Sequence, residues 1–307
     1  MITTDDLYNL FNKCFPGIIR SEESAKALLS APDNRVLTTE RDGTVVSAAV
    51  INENHIVMLC VLPEYRGQGI GSALLAECES HIRDAGYDTV SFMRCKHGYL
   101  TPGVPMEFPG YDGNRVFFEK RGYVHTWGDG ECVDMMLDMT DIDDLGVNIG
   151  DTVPAVSKKH PELDPDALEN RMTYRFADES DMEKTADCVA EALEHFVQYY
   201  KNPEPYRGED GERVLIAENG NGLVCGALLV SAGGEAAGLG SVGCTSTRES
   251  YQGRGIATNM VKAGTMYLKQ QGLEKGYLGF TYTDIIPMYA RAGYKVSMKY
   301  FMGEKKL

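Results

Sequence analysis

Hydrophobic residues recur along this 307-residue chain at two spacings. Apolar positions three and four residues apart after residue 70 predict an amphipathic helix, and the same spacing predicts helices over 4–13 and 21–29. Short apolar runs predict strands over 35–40, 44–51 and 55–61, with Arg41-Asp42-Gly43 as the turn between the first two. A mixture of helices and strands of this kind indicates an α/β fold (α+β by some schemes).

The second half of the chain repeats this order of elements. A strand over 172–176, a helical region over 178–200 and a hairpin over 214–230 precede a strand over 239–247 and another long helix. Residues past 140 lose periodicity and contain prolines, which is typical of a linker. We therefore predict two similar domains, one over 1–140 and one over 172–307, joined by a linker over 141–171.

Each half has a glycine-rich turn where a strand passes into a long helix. In the first turn Gly67, Gly69 and Gly71 put no Cβ between the backbone and a ligand, and Arg66 adds a positive charge. The first N–H groups of a helix have no intrahelical acceptor, and the helix dipole adds positive charge there. The pattern predicts a phosphate site. A P-loop would need Gly-Lys-Ser/Thr, and a dinucleotide fingerprint would need a glycine where Ser72 stands.

The motif Arg-x-x-Gly-x-Gly over 66–71 resembles the pyrophosphate-binding motif of the GNAT acyltransferase superfamily, whose pattern is Gln/Arg-x-x-Gly-x-Gly/Ala. The second half carries Gln-x-x-Gly-x-Ala over 252–257. Each copy is followed by a short helix and an aromatic strand start that includes Gly122-Tyr123 or Gly293-Tyr294. The chain therefore resembles two GNAT domains in tandem, and the resemblance covers nearly the whole chain outside the linker.

The resemblance implies the fold and the ligand. Each domain is expected to be a mixed, mostly antiparallel twisted sheet with helices on both faces and a splayed central strand pair. The cofactor is expected to be acetyl-CoA or CoA, held by backbone at the end of the splayed strand and by the glycine turn. In the first copy these residues are Leu59, Cys60, Val61, Arg66, Gly67, Gln68, Gly69, Ile70, Gly71 and Ser72. In the second copy they are Thr245, Ser246, Thr247, Gln252, Gly253, Arg254, Gly255, Ile256, Ala257 and Thr258.

The resemblance also implies an acyl transfer, most simply an N-acetyltransferase in which an amine attacks the thioester directly. Tyr289 aligns with the tyrosine that many GNAT enzymes use as a general acid, whereas the first copy has Phe118 there. This difference favours the second domain for catalysis. The fuller phosphate motif with Arg66 favours the first. His55 and Glu235 are candidate bases, and aromatic residues near 195–206 are candidate acceptor contacts.

Two further features of the sequence leave alternatives open. The second copy lacks the last strand of a typical domain, so it is either truncated or completes its sheet with a strand from elsewhere. The first copy carries an extra segment over 97–111, which is either a specificity loop or an inert insertion. A CoA-sensing or scaffolding protein with silent domains stays a rival, and the tandem layout also resembles mycothiol synthase.

The composition of the chain limits the classes of ligand and partner that we expect. A net charge of −15 argues against nucleic acid and suits a small-molecule or peptide amine as acceptor. The eight cysteines form no Cys-x-x-Cys pair, which argues against a zinc site or a redox dithiol, so no metal is expected. No apolar run is long enough to span a membrane and the N-terminus lacks a basic signal region, so we expect a cytoplasmic protein without membrane partners. The sequence does not reveal the oligomeric state.

Overall fold

The computed structural model describes residues 2–16, 18, 21–92, 95–106, 113–126, 132–233 and 238–307. The chain divides into two compact units. The first unit contains Met1–Val133 together with Met298–Leu307, and the second unit contains Asp134–Ser297. The predicted boundaries therefore differ from these units at both ends of the second domain.

The elements follow one another in nearly the order that the hydrophobic pattern predicts. Up to residue 138 they are α1 (Thr4–Cys14), α2 (Glu22–Leu29), β1 (Arg35–Arg41), β2 (Thr44–Asn52), β3 (His55–Val61), α3 (Ile70–Asp84), β4 (Thr89–Ser91), β5 (Val104–Met106), α4 (Asn114–Glu119), β6 (Val124–His125) and β7 (Cys132–Asp138). After it they are β8 (Thr152–Pro154), β9 (Arg171–Phe176), α5 (Met182–Leu193), α6 (Val197–Tyr200), α7 (Glu204–Arg207), β10 (Glu212–Asn219), β11 (Val224–Ser231), β12 (Leu239–Thr247), α8 (Ile256–Gln270), β13 (Lys275–Tyr282), α9 (Ile286–Ala290), β14 (Lys295–Phe301) and β15 (Gly303–Lys306).

The sheet of the first unit has the strand order β1-β2-β3-β4-β15-β6. β1 and β2 form the predicted antiparallel hairpin, and Asp42 (φ 49°) and Gly43 (φ 74°) supply its two left-handed turn residues. β3 pairs antiparallel with β2 along its length. β3 and β4 run parallel, but their described residues pair only where His55 meets Ser91. The splayed central strand pair is therefore confirmed.

Helices cover both faces of this sheet. α1 and α2 bury Leu7, Leu10 and Leu28 against one face of β2 and β3. α3 buries its apolar stripe, with Leu74 and Leu75, against the other face. Burial of such side chains contributes about 1.5–3 kcal/mol each, so these two layers supply much of the stability of the unit.

The second unit has a sheet in the order β7-β13-β12-β11-β10-β9-β8, with the start of β14 beside β7. β12 and β13 pair in parallel over only three residues, from Leu239 to Ser241 on β12. Residues that we predicted to be linker belong to this unit, because β8 pairs with β9. β7 supplies the strand that the second copy lacks in its own sequence.

The last strand of the chain belongs to the first unit. β15 lies between β4 and β6, with Glu304 opposite Ser91 and Gly303 opposite His125. Gly128-Asp129-Gly130 in the sequence also predicts a hairpin between strands over 123–128 and 131–138, and this prediction is wrong. β6 pairs with β15, and β7 lies in the other sheet. An apolar pattern specifies that a segment is a strand, but it does not specify the partner.

The largely buried carboxylate of Glu79 on α3 connects this helix to β15. Glu79 accepts hydrogen bonds from the Tyr123 hydroxyl at 3.0 Å and from Lys305 Nζ at 2.7 Å, and its side chain is 13% exposed. Removing it leaves two polar groups without their partner, which costs about 2–3 kcal/mol.

We therefore expect Glu79→Ala to lower the free energy of urea unfolding by about 2–3 kcal/mol. Glu77→Ala, an exposed position on the same helix, is the control and changes it by less than about 0.5 kcal/mol. Equal effects at the two positions would refute the role of this contact.

Candidate functional site

The first unit contains a cavity of about 650 Å³ at its splayed strands. β3 lines it from Ile56 to Val61, and the glycine turn lines it with Gly67, Gly69 and Gly71. The end of α1 contributes Cys14, and the short helix α4 contributes Phe117. Elements that are far apart in sequence therefore surround one space that runs along the edge of β3.

The splay gives β3 two different edges. One edge pairs with β2, while the edge toward β4 is paired at His55 alone among the described residues. Side chains of β3 alternate, so that Met58 and Cys60 are buried and Leu59 is partly accessible. The backbone groups of Leu59, Cys60 and Val61 thus border the cavity, where a ligand with amide groups could pair with them.

The first glycine turn opens toward this cavity. Gly67 (φ 76°) and Gly69 (φ 82°) both adopt left-handed backbone, and Gly69 is the N-cap of the 15-residue helix α3. A Cβ at either position would meet no atom within 4 Å. Gly71 is different, because its Cβ would lie 3.4 Å from the Val61 side chain. The turn therefore leaves open space beside Gly67 and Gly69, at the positive end of the helix dipole of α3, which suits an anion.

The structure places Arg66 on the cavity wall. Its Nε donates to the Val61 carbonyl at 3.0 Å and its Nη2 donates to the Cys14 carbonyl at 3.3 Å. The guanidinium thereby joins the end of β3 to the end of α1. Gln68 Nε2 donates to the Glu64 carbonyl at 3.3 Å and holds the turn itself.

A second cation at the turn was missed by the sequence analysis. Arg121 Nη2 donates to the Ser72 hydroxyl at 2.5 Å, and its guanidinium lies 3.7 Å from the centre of the Phe117 ring. These contacts bring a positive charge to the first turn of α3. Arg121 stands 49 residues after Ser72, so only folding brings them together. A comparison of the two copies could have identified Arg121, because the second copy has Ala292 at the equivalent position.

The second glycine turn is partly covered. Gly253 and Gly255 have the same left-handed backbone, and α8 also begins immediately after the turn. Here the Ser157 hydroxyl donates to the Gly253 carbonyl at 2.8 Å. A Cβ on Gly253 would lie 3.3 Å from His160 Nε2, whereas one on Gly255 would meet no atom within 4 Å. Residues that we predicted to be linker therefore lie against half of this turn.

Side chains of the second unit also occupy the region where its strands part. The Tyr200 hydroxyl donates to the Cys244 carbonyl of β12 at 2.6 Å. The Tyr289 hydroxyl shares a hydrogen bond of 3.1 Å with Thr245 Oγ1. Both tyrosines are buried, at 0% and 4% exposure, and burial raises the pKa of each phenol. The predicted general acid thus lies in a packed and hydrogen-bonded position.

The remaining candidates lie in different surroundings. His55 Nδ1 is 2.8 Å from the Ser91 hydroxyl at the point where the strands part, and burial lowers the pKa of this histidine. Glu235 lies outside the described residues. Of the candidate acceptor contacts, Tyr206 is buried and donates to the Tyr200 carbonyl at 2.9 Å. Tyr199 is 38% exposed.

Residues from the middle of the extra segment border the cavity of the first unit. Thr101, Gly103, Val104 and Pro105 line it, whereas 107–111 lie outside the described residues. Only glycine fits at position 103, because a Cβ there would lie 2.6 Å from the Phe301 carbonyl oxygen.

Within the described part of the chain, no cluster of three or more His, Cys, Asp or Glu side chains suits a metal. No helix in that part combines the length and the apolar character that crossing a membrane requires.

Comparison with solved structures identifies the fold. The chain aligns with a region described as a GCN5-related glucosamine N-acetyltransferase in a fungal multi-domain GH3 β-N-acetylglucosaminidase, with TM-score 0.69 and 18% identity. The alignment covers 98% of this chain but 36% of that chain. A GCN5-related N-acetyltransferase from Sphaerobacter thermophilus aligns with TM-score 0.61 and 20% identity over 99% and 94% of the two chains. A tandem GNAT protein from the clavulanic acid biosynthesis pathway aligns with TM-score 0.60 and 17% identity over the same shares.

Family profiles match the sequence in both halves. One described as an acetyltransferase (GNAT) domain matches residues 3–96, and a second with the same description matches 210–296. Together they cover more than half of the chain. No curated protein matches the sequence. The chain belongs to the GNAT acetyltransferase family and carries two of its domains in tandem.

Proposed function

We propose that the first unit binds acetyl-CoA and that the protein is an N-acetyltransferase acting on an amine of a small molecule or peptide. The observation that carries this proposal is the open glycine turn at one end of a cavity bordered by the edge of β3. A phosphate site and a strand edge in one cleft match the two chemical parts of the coenzyme, which are its pyrophosphate and its amide-containing arm.

The pyrophosphate would lie at the start of α3. The space beside Gly67 and Gly69 is open there, the backbone N–H groups over 67–72 would bind the phosphates, and the helix dipole favours negative charge. Arg121 adds a charge-assisted donor beside Ser72. Arg66 has the different role of holding the end of β3 to α1, so that the strand edge keeps its position.

The reaction itself would take place along β3. Its backbone N–H groups can hydrogen-bond the thioester carbonyl and stabilise the oxyanion that forms when an amine attacks. The amine must attack as the neutral base, and its nitrogen forms the new amide bond while the carbon–sulfur bond breaks. Phe118 lines the cavity at the position where Tyr289 stands in the second copy, so it donates no proton to the departing thiolate.

The second unit would serve mainly as structural support. The contacts of Ser157 and His160 with its glycine turn, and the buried tyrosines at its parted strands, compete with a bound coenzyme. This assigns one coenzyme to each chain.

The cysteines support a reducing compartment such as the cytoplasm, since all eight lie in the described part of the chain and none forms a disulfide.

Equivalent glycines in the two copies offer a matched test. Gly69 and Gly255 both cap a 15-residue helix in left-handed backbone, so alanine imposes a similar strain of about 1–2 kcal/mol at each. We expect Gly69→Ala to raise the Kd for acetyl-CoA about tenfold or more, because its methyl group enters the space assigned to pyrophosphate. Gly255→Ala should leave the Kd unchanged. Isothermal titration measures both and should give one site per chain; the opposite ranking would move the site to the second unit.

Arg121 provides a test of the phosphate contact. Arg121→Ala should raise the Kd for CoA about tenfold at low salt, because a charge-assisted hydrogen bond to phosphate is lost. The difference should shrink in high salt as the charges are screened. Arg115→Ala, which removes an exposed partner of Glu119 on the same helix, is the control. If the two variants bind CoA equally well, Arg121 has no part in the site.

Tyr289 distinguishes the two units as the place of catalysis. Under the present proposal Tyr289→Phe removes one hydrogen bond to Thr245, so it costs about 1 kcal/mol of stability and leaves turnover unchanged. Turnover is measured as thiol release from acetyl-CoA across a panel of amines. A large drop in turnover with unchanged coenzyme affinity would restore Tyr289 as the general acid. Coenzyme binding without amine-dependent thiol release by the wild-type chain would favour the CoA-sensing alternative.

A further inference from the structure

Two cysteines from different elements border the cavity of the first unit. Cys14 is the last residue of α1, and Cys60 lies near the end of β3. Both line the cavity, although their exposed fractions are only 2% and 1%. The wall of this cavity therefore includes two cysteines whose side chains are almost completely buried.

The two thiols have unequal acidity. A hydrogen bond with Cys60 and the nearby Arg66 guanidinium lower the pKa of Cys14, although burial and Glu64 act in the opposite direction. The carboxyl end of α1 also disfavours an anion there, so the contribution of Arg66 is needed. Burial raises the pKa of Cys60 well above its usual value, and its contact with Cys14 acts in the same direction. Cys14 is thus the more acidic of the two thiols.

We propose that Cys14 and Cys60 form a dithiol oxidation site inside the cavity, which small hydroperoxides convert to a disulfide between α1 and β3. This chemistry requires a nucleophilic thiol beside a cationic side chain and a second thiol close by. Cys14 and Cys60 line the same cavity and belong to the same core cluster, and Arg66 donates to the Cys14 carbonyl at 3.3 Å. Cys78 is placed differently, because it is completely buried on α3 and burial raises its pKa to about 12.

The reaction balances in two steps. The Cys14 thiolate attacks one peroxide oxygen, the oxygen–oxygen bond breaks, and Cys14 becomes a sulfenic acid while the other oxygen leaves as hydroxide. The Cys60 sulfur then attacks the Cys14 sulfur, a sulfur–sulfur bond forms, and the hydroxyl group leaves as water with the Cys60 proton. In total, two thiols and one hydrogen peroxide give one disulfide and two waters.

Oxidation would also change the cavity. The disulfide would bind the end of α1 covalently to the strand segment that borders the cavity, and it would reposition Cys60 at the centre of that edge. Arg66 already connects the same two elements through the carbonyls of Val61 and Cys14. We therefore expect oxidation to weaken coenzyme binding, and bound coenzyme to slow oxidation by filling the cavity.

The test is peptide mapping of the reduced full-length chain after brief treatment with hydrogen peroxide. Remaining thiols are blocked with N-ethylmaleimide before digestion without reductant. We expect a cross-linked peptide pair containing Cys14 and Cys60, formed about tenfold faster than any modification of Cys78. Cys14→Ala and Cys60→Ala should each abolish it, whereas Cys78→Ala should not. A thermal melt of each variant confirms that it is folded.

Three results would overturn the inference. They are oxidation of Cys14 without a cross-link to Cys60, a cross-link that forms no faster than Cys78 reacts, and a peroxide reaction that Cys14→Ala leaves unchanged. The same samples separate this inference from the proposed function. A cross-link in a protein that neither binds CoA nor is protected by it would leave the dithiol standing and remove the coenzyme site. Tight CoA binding without a cross-link would do the reverse. If a cysteine variant fails to fold, the wild-type peptide map still decides the outcome.

Discussion

The parting of β3 from β4 is the constraint on which the first unit depends. The two strands pair at His55 and Ser91, and from there one edge of β3 faces a cavity. A strand edge left without a partner is costly unless water or a ligand satisfies its polar groups. On its other edge β4 pairs with β15, with Glu304 opposite Ser91. The last strand of the chain therefore belongs to the same sheet as the parted strands.

The two copies start from the same local pattern and reach different results. Both have left-handed glycines immediately before a 15-residue helix. In the first unit the space before Gly67 is open, whereas His160 lies against Gly253 in the second. In the second unit a side chain also satisfies a polar group of the parted strands, because the Tyr200 hydroxyl donates a hydrogen bond to the Cys244 carbonyl. A phosphate motif thus reports a backbone conformation, and the surrounding side chains decide whether a ligand can use it.

The same separation applies to the charged and reactive side chains of the cleft. Arg66 belongs to the motif, yet it holds backbone carbonyls, while Arg121 from outside the motif lies at the first turn of α3. Cys14 and Cys60 are 46 residues apart in the sequence, and the packing of α1 on β3 brings them to one wall. Chemistry in this cleft therefore depends on contacts between elements more than on any single motif.

The sequence by itself determined what is local. Periodicity predicted the helices after both glycine turns, the turn chemistry predicted the β1–β2 hairpin, and the repeated motif predicted two GNAT domains, because each of these depends on residues within a few positions of one another. Tertiary structure alone decided which strand pairs with which. It also decided that β15 completes the first sheet, that Tyr289 is buried and that Arg121 reaches Ser72. These outcomes depend on contacts between residues far apart in the chain, and a hydrophobic pattern specifies that a surface is buried without specifying what covers it.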